Sequence, residues 1–296
     1  MIFQQLLNGL VVGGVYSLFA LGFALVFGIH HILNLAHGGV FMTGAFLGLY
    51  AVLQGLPLWL GFVVAALGGG LLSVLIEFMA FRPLKKSGET EFGAIISSIG
   101  ANLIIISIAQ KISQTEVMRF PFETFPVLIY RFWGLRVSFL QLFMALMALA
   151  LMAVLLYFLY RTPIGRKIRA VAGNEHAAIL LGVNPNHVFF TTFFLSGALA
   201  GVAGVLIGLA FNSIHFMMGE PFLLSAFVIC ILGGMGSIVG TMVGGLVFGM
   251  IHTLSVAYLS SGLTESIIYG LLFVMLILRP NGLFGKSAAG ALRVQR

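Results

Sequence analysis

Aspartate is missing altogether from the 296 residues, and only 8% of the chain is charged. Soluble domains carry about 25% charged residues, so a soluble fold is excluded. Not one Asp, Glu, Lys or Arg precedes Glu77. Cysteine is nearly absent too. The single Cys230 rules out an intrachain disulfide, and its apolar setting points to packing. The first residues, MIFQQLLNGL, have no basic stretch and no A-x-A-like site follows, so the start reads as a retained span rather than a cleavable signal. A nucleophile–base pair and a paired-carboxylate set are lacking, which leaves an enzyme reading little support. Gly285-Lys286-Ser287 resembles the end of a P-loop, but Pro280 stands where that motif needs glycine and no strand precedes it. The chain is therefore expected to bind no ATP, and no metal or other cofactor.

What is present is long apolar sequence. About 20 apolar residues span a hydrocarbon core of about 30 Å. Cutting at charges and Gly/Pro turns gives spans near 6–28, 33–54, 58–80, 92–110, 138–160, 187–210, 222–257 and 265–279. The seventh is too long for one crossing and is broken at Gly233-Gly234-Met235-Gly236, which makes nine membrane segments from eight hydropathy spans. The fold class is all-α: a polytopic helical membrane protein of about eight transmembrane helices, in one domain over 1–296, with broken or re-entrant segments near 29–39 and 233–237.

The net charge of +7 lies beside spans, so topology explains it better than nucleic acid does. Arg82, Lys85 and Lys86 mark one cytoplasmic loop, residues 161–186 a second, and Arg279, Lys286, Arg293 and Arg296 a cytoplasmic C-terminus. The N-terminus then falls outside, as does the loop 111–137. That loop holds Lys111, Arg119, Arg131 and Arg136, which opposes the assignment, while Trp133, Tyr130 and several Phe suit an interfacial structure.

Within the spans, Gly197, Gly201, Gly204 and Gly208 share one helix face, as do Gly236, Gly240 and Gly244, and Gly44 with Gly48. Such faces serve tight packing, or sliding during a conformational cycle. Ionisable groups inside a membrane are functional by default. Glu77, near the cytoplasmic end of its span, can snorkel, and Glu265 opens the last span at the outer interface. No midplane carboxylate is identified among them. His252 reads as a core histidine. His30, His31 and His37 lack a carboxylate or Cys to complete a metal set. The segment 29–39 reads instead as a broken helix around a cavity, with Asn34, His37, Gly38 and Gly39 either near a translocation path or simply holding the turn.

Residues 161–186 form the one long polar insert, with Arg161, Arg166, Lys167 and Arg169 against the single acid Glu175. Pro163 suits a first helical turn, which places Ile164, Ile168 and Val171 on one face. Gly173-Asn174 breaks that helix, and Asn174 caps a second, with Glu175 in its first turn. Gly182 suits the end of the second helix, and Asn184-Pro185 prevents continuation. Two short amphipathic helices in a tight bend are expected, either docking a partner or lying on anionic lipid.

The pattern Thr162-x-x-Gly165-Arg166-x-x-Arg169-Ala170, Asn174-x-x-Ala177-Ala178, Gly182-Val183-Asn184 resembles the cytoplasmic coupling loop of bacterial ABC-importer permeases, the superfamily of branched-chain amino acid and sugar permeases. Three further features resemble the amino acid branch: Asn34-Leu35-Ala36-His37-Gly38, Gly233-Gly234-Met235-Gly236-Ser237-x-x-Gly240, and Arg279-Pro280-x-Gly282-Leu283-Phe284-Gly285. The resemblance implies a permease subunit of a branched-chain amino acid importer in the bacterial inner membrane. It also implies partners: a second related permease, two cytoplasmic ATPases that carry ATP-Mg, a periplasmic or lipid-anchored binding protein, and membrane lipid. Arg161 to Gly182 would couple to the ATPases, and Gly233, Gly234 and Gly236 would serve as path or hinge. Related permeases carry urea or short amides. From a different class, a self-sufficient channel or ion-coupled carrier needs a midplane charge and leaves the insert unexplained.

Overall fold

The computed structural model describes residues 2–86, 91–132, 134–259, 261–279 and 282–284. Trp133, Pro280, Gly285, Lys286, Ser287, Arg293 and Arg296 lie outside these, as do the side chains of Lys85 and Lys86. Six helices among the described residues are long and apolar enough to cross a membrane, and three shorter apolar helices join them.

The chain runs through α1 (Ile2–His30), α2 (His37–Leu53) and α3 (Leu58–Ile76). A π-helical turn, Glu77–Phe81, links α3 to α4 (Arg82–Lys86). Then come α5 (Glu91–Ser113), α6 (Phe139–Arg161), α7 (Pro163–Gly173), α8 (Glu175–Leu180), α9 (Pro185–Phe211), α10 (Gly219–Gly233), α11 (Ile238–Tyr258) and α12 (Ser261–Leu278). Between α5 and α6, β1 (Ile129–Phe132) and β2 (Leu135–Ser138) pair antiparallel about Gly134, which has positive φ. One end of the bundle carries this hairpin; the other, the basic end, carries α7 and α8.

Helix α1 is the axis of the bundle, at about 1.5 Å per residue some 43 Å long. Glycines let its neighbours approach backbone to backbone. A Cβ on Gly9 would reach Met250 Cα at 2.8 Å, and one on Gly13 would reach Leu246 Cα at 3.0 Å. Ser17 Oγ donates across the same seam to Met242 O at 2.9 Å. The glycine face of α9 packs on two helices. Gly197 and Gly201 meet Gly69 and Ala65 of α3, while Gly204 meets Phe41 of α2. Outward faces of α5, α6 and α12 display Ile104, Leu149 and Phe273. In lipid such faces meet matching apolar chains, so their exposure incurs no hydrophobic cost.

The breaks at 31–36 and 234–237 occur as the sequence indicates. His31 and Gly234 both take positive φ, which ends α1 and α10. The helix after α9 starts earlier than its expected place. Asn212 adopts left-handed φ, its Oδ1 accepts from Phe120 N at 2.9 Å, and Ile214 pairs with Met118 in two backbone hydrogen bonds of 2.9 Å. The chain then turns back into the bundle, so α10 starts at Gly219 rather than 222 and begins beside the start of α2.

Candidate functional site

The turn before α2 carries its ends deep into the bundle. The Asn34 side chain accepts from Ala36 N at 3.2 Å, and Ser98 of α5 accepts from Leu35 N at 3.2 Å. These bonds satisfy backbone that would otherwise face hydrocarbon. His37 is fully buried; its Nε2 lies 3.2 Å from Phe19 O and its ring stacks on Phe19 at 4.6 Å. Ser196 lies 3.5 Å from its Nδ1. Phe19 and Gly22 are mid-length in α1, so α2 begins about 12–16 Å inside the basic end. The three histidines do not converge: His30 packs on Phe189 and His31 on Phe27. His252 packs against Tyr16 and Phe248.

Gly38 and Gly39 bring two further helices to this depth. A Cβ on Gly38 would stand 3.0 Å from Gly219 O, so the N-termini of α2 and α10 abut. A Cβ on Gly39 would stand 2.7 Å from Asn102 Oδ1. Asn102 is the midpoint residue of α5, about 16 Å from either end, and its Nδ2 donates to Glu220 Oε1 at 2.8 Å. Glu220 is therefore a mid-depth carboxylate, which the sequence reading did not identify. The signal was present: Glu220 stands alone between the uncharged runs 188–219 and 221–264. Glu77 also departs from expectation. It is 7% exposed within the π-helical turn and does not snorkel. It lines a cavity of about 290 Å³ together with His30, His31, Arg82, Asn174 and Glu175.

The insert is built as its caps dictate. Thr162 Oγ1 accepts from Gly165 N at 3.1 Å with Pro163 in the first turn of α7, and Asn174 Oδ1 accepts from Ala177 N at 2.9 Å to open α8. Gly182 takes φ of 81°, and Asn184 caps α9 through Asn186 N at 3.0 Å. Ile168 and Val171 are buried against the bundle, whereas Ile164 is 43% exposed and does not share their contact. Gly165 packs on the last carbonyls of α6, where any Cβ would collide. Arg161, Arg166, Arg169, Ala170 and Ala177 face outward, and Arg169 lies over the Tyr160 ring at 4.9 Å. At the tip Leu180 is 88% and Leu181 82% exposed.

Gly233, Gly234 and Gly236 lie at the basic end, away from His37. Gly233 meets the backbone of Gly240, and a Cβ on Gly28 would lie 3.7 Å from Gly236. The segment after α12 closes on them: Leu283 N donates to Leu232 O at 2.9 Å and Phe284 N to Gly233 O at 3.1 Å. Two motifs far apart in sequence thus form one junction. Among the described residues no group of three His, Cys, Asp or Glu side chains is placed to hold a metal.

Residues 5–278 match the family described as branched-chain amino acid transport system / permease component. The high-affinity branched-chain amino acid transport system permease protein BraD of Pseudomonas aeruginosa is 31% identical over 295 residues, covering 96% of this chain and 95% of that protein. The permease protein LivH of Escherichia coli, of the same description, is 32% identical over 300 residues, with 96% and 95% covered. Among solved structures, PsaBC from Streptococcus pneumoniae in complex with Fab has the same fold at a TM-score of 0.51 and 15% identity, covering 99% of this chain and 94% of that one.

Proposed function

Because the chain belongs to the branched-chain amino acid transport system permease family, we propose that it is the membrane subunit of an ATP-driven importer that moves leucine, isoleucine and valine across the bacterial inner membrane. It pairs there with a second related permease. Two cytoplasmic ATPases bind and hydrolyse ATP-Mg, and a binding protein on the outer side delivers substrate. In this reading the basic end is cytoplasmic and the hairpin end is external.

The observation that carries the proposal is the insert. Its inner face, Ile168 and Val171, is buried against the bundle, while its outer face presents Arg166, Lys167 and Arg169, and its tip exposes Leu180 and Leu181. Basic and apolar groups displayed together outside a membrane core suit a protein partner. Because the inner face is fixed to α1 and α6, a push on α7–α8 is transmitted to the helices that hold His37. ATP closure of the ATPases then moves the two permeases between inward- and outward-facing states.

Reconstitution tests the division of labour. With partner permease, ATPases, binding protein and ATP, liposomes are expected to accumulate leucine; the chain alone is expected not to. Leucine uptake by the chain alone on an imposed ion gradient would establish a self-sufficient carrier and refute the importer reading.

A further inference from the structure

Glu220 is a charge at the middle of a membrane protein, and among the described residues no cation pairs with it. Its bond from Asn102 fixes the geometry of both groups. A carboxylate only accepts, so the amide must present its NH₂ to Glu220, which turns Asn102 Oδ1 the other way. That oxygen is buried, on a residue 7% exposed, and has no hydrogen-bond partner. Leaving a buried acceptor unsatisfied is costly, so such a group calls for a hydrogen-bond donor. Besides the second N–H of the amide, the pair offers acceptors: one amide oxygen and a carboxylate. An ammonium group carries three donors and a positive charge, which is the complement.

Immediately beside the pair the surroundings become apolar. A Cβ at Gly39 would meet Asn102 Oδ1 at 2.7 Å and Ile105 Cγ2 at 3.2 Å, so only glycine lets α2 lie against that oxygen, and Ile105 marks the border. Beyond Ile105, α2, α3 and α5 border a half-open groove of about 260 Å³ lined by Thr43, Phe46, Leu47, Tyr50, Leu72 and further α5 residues. Small-ligand sites are mostly apolar hollows with a few placed polar groups, and span about 300–1,000 Å³; this one falls just below that range, which limits it to a small solute.

We propose that Glu220 and Asn102 bind the α-ammonium group of the transported amino acid and that the groove beyond Ile105 receives its aliphatic side chain. The assignment rests on the transport reading above. It is tested in proteoliposomes holding the complete importer. Glu220→Gln keeps shape and the bond from Asn102 but removes the charge, so a pair that merely clamps α5 to α10 leaves that variant unaffected. Leucine uptake efficiency is expected to fall about 10- to 100-fold, the range for losing a hydrogen bond to a charged group. Glu220→Asp is expected to recover part of the loss. Ile105→Trp narrows the groove and is expected to shift preference from leucine toward alanine about tenfold, the effect of a few methylenes in an apolar pocket. Wild-type uptake by Glu220→Gln overturns the assignment alone. If that variant does not assemble, an unchanged leucine-to-alanine ratio in Ile105→Trp overturns it. No leucine uptake by the wild-type importer overturns the transport reading, and the assignment with it.

Discussion

Replacing Gly38 probes the crossing of α2 and α10 most directly. An added Cβ would lie 3.0 Å from Gly219 O, 3.3 Å from its carbonyl carbon and 3.6 Å from Leu223 Cβ. Ordinary contact begins at 3.4 Å, so alanine must separate the helices by a few tenths of an ångström, against backbone that cannot rotate away. Overpacking of this kind costs about 1–3 kcal/mol. Alanine recovers about 1 kcal/mol of that through helix propensity, so its net cost is about 0–2 kcal/mol. Valine adds two methyls at the same crowded place with less of that compensation, since β-branching lowers helix propensity. Gly38→Val is therefore expected to abolish leucine uptake while still inserting into the membrane, and Gly38→Ala to be much milder. The assay is labelled-leucine uptake in cells whose importer depends on this chain, normalised to membrane content by immunoblot. Gly270→Ala serves as control, because a Cβ there meets nothing within 4 Å. Normal uptake by Gly38→Val at normal membrane content would refute the reasoning and reduce the turn to a connector.

Reversing Arg166 and Arg169 to glutamate is expected to uncouple uptake from ATP hydrolysis while the binding protein keeps its affinity for leucine; full uptake by that variant counts against docking at the insert. Ile168→Ala removes a side chain 2% exposed from beneath α7, and such truncations cost about 2–5 kcal/mol. A lower unfolding temperature of the purified complex is expected, and an unchanged one would show that α7 is not anchored through Ile168.

The insert was legible because its determinants are local. Pro163, Asn174 and Gly182 act on backbone groups within a few residues, and each does so where the sequence places it. Ile164 was misplaced for a related reason: helical spacing groups it with Ile168, but where the first turn of α7 meets the bundle is decided by how α7 leaves α6. The break at 31–36 could be read from Asn34 and the diglycine, yet not its depth, which depends on Ser98 and Phe19 from other helices. Glu220 was missed because the chain from Asn212 to Met218 looks like an ordinary connection. Only the pairing of Ile214 with Met118, 96 positions earlier in the chain by their numbers, returns it to the interior. The glycine spacing of α9 predicted a packing face but could not name Gly69, Ala65 and Phe41 as its partners.

The seam between α1 and α11 also sets an order of events during synthesis. Ser17 closes its hydrogen bond with Met242, 225 positions later, and Gly13 waits for the same helix. At about 5–20 residues per second, α1 spends about 10–45 s in the membrane before its partner emerges from the ribosome. The first helix made is thus among the last to reach its final neighbours, and until then its notched face must be shielded by lipid or by the insertion machinery.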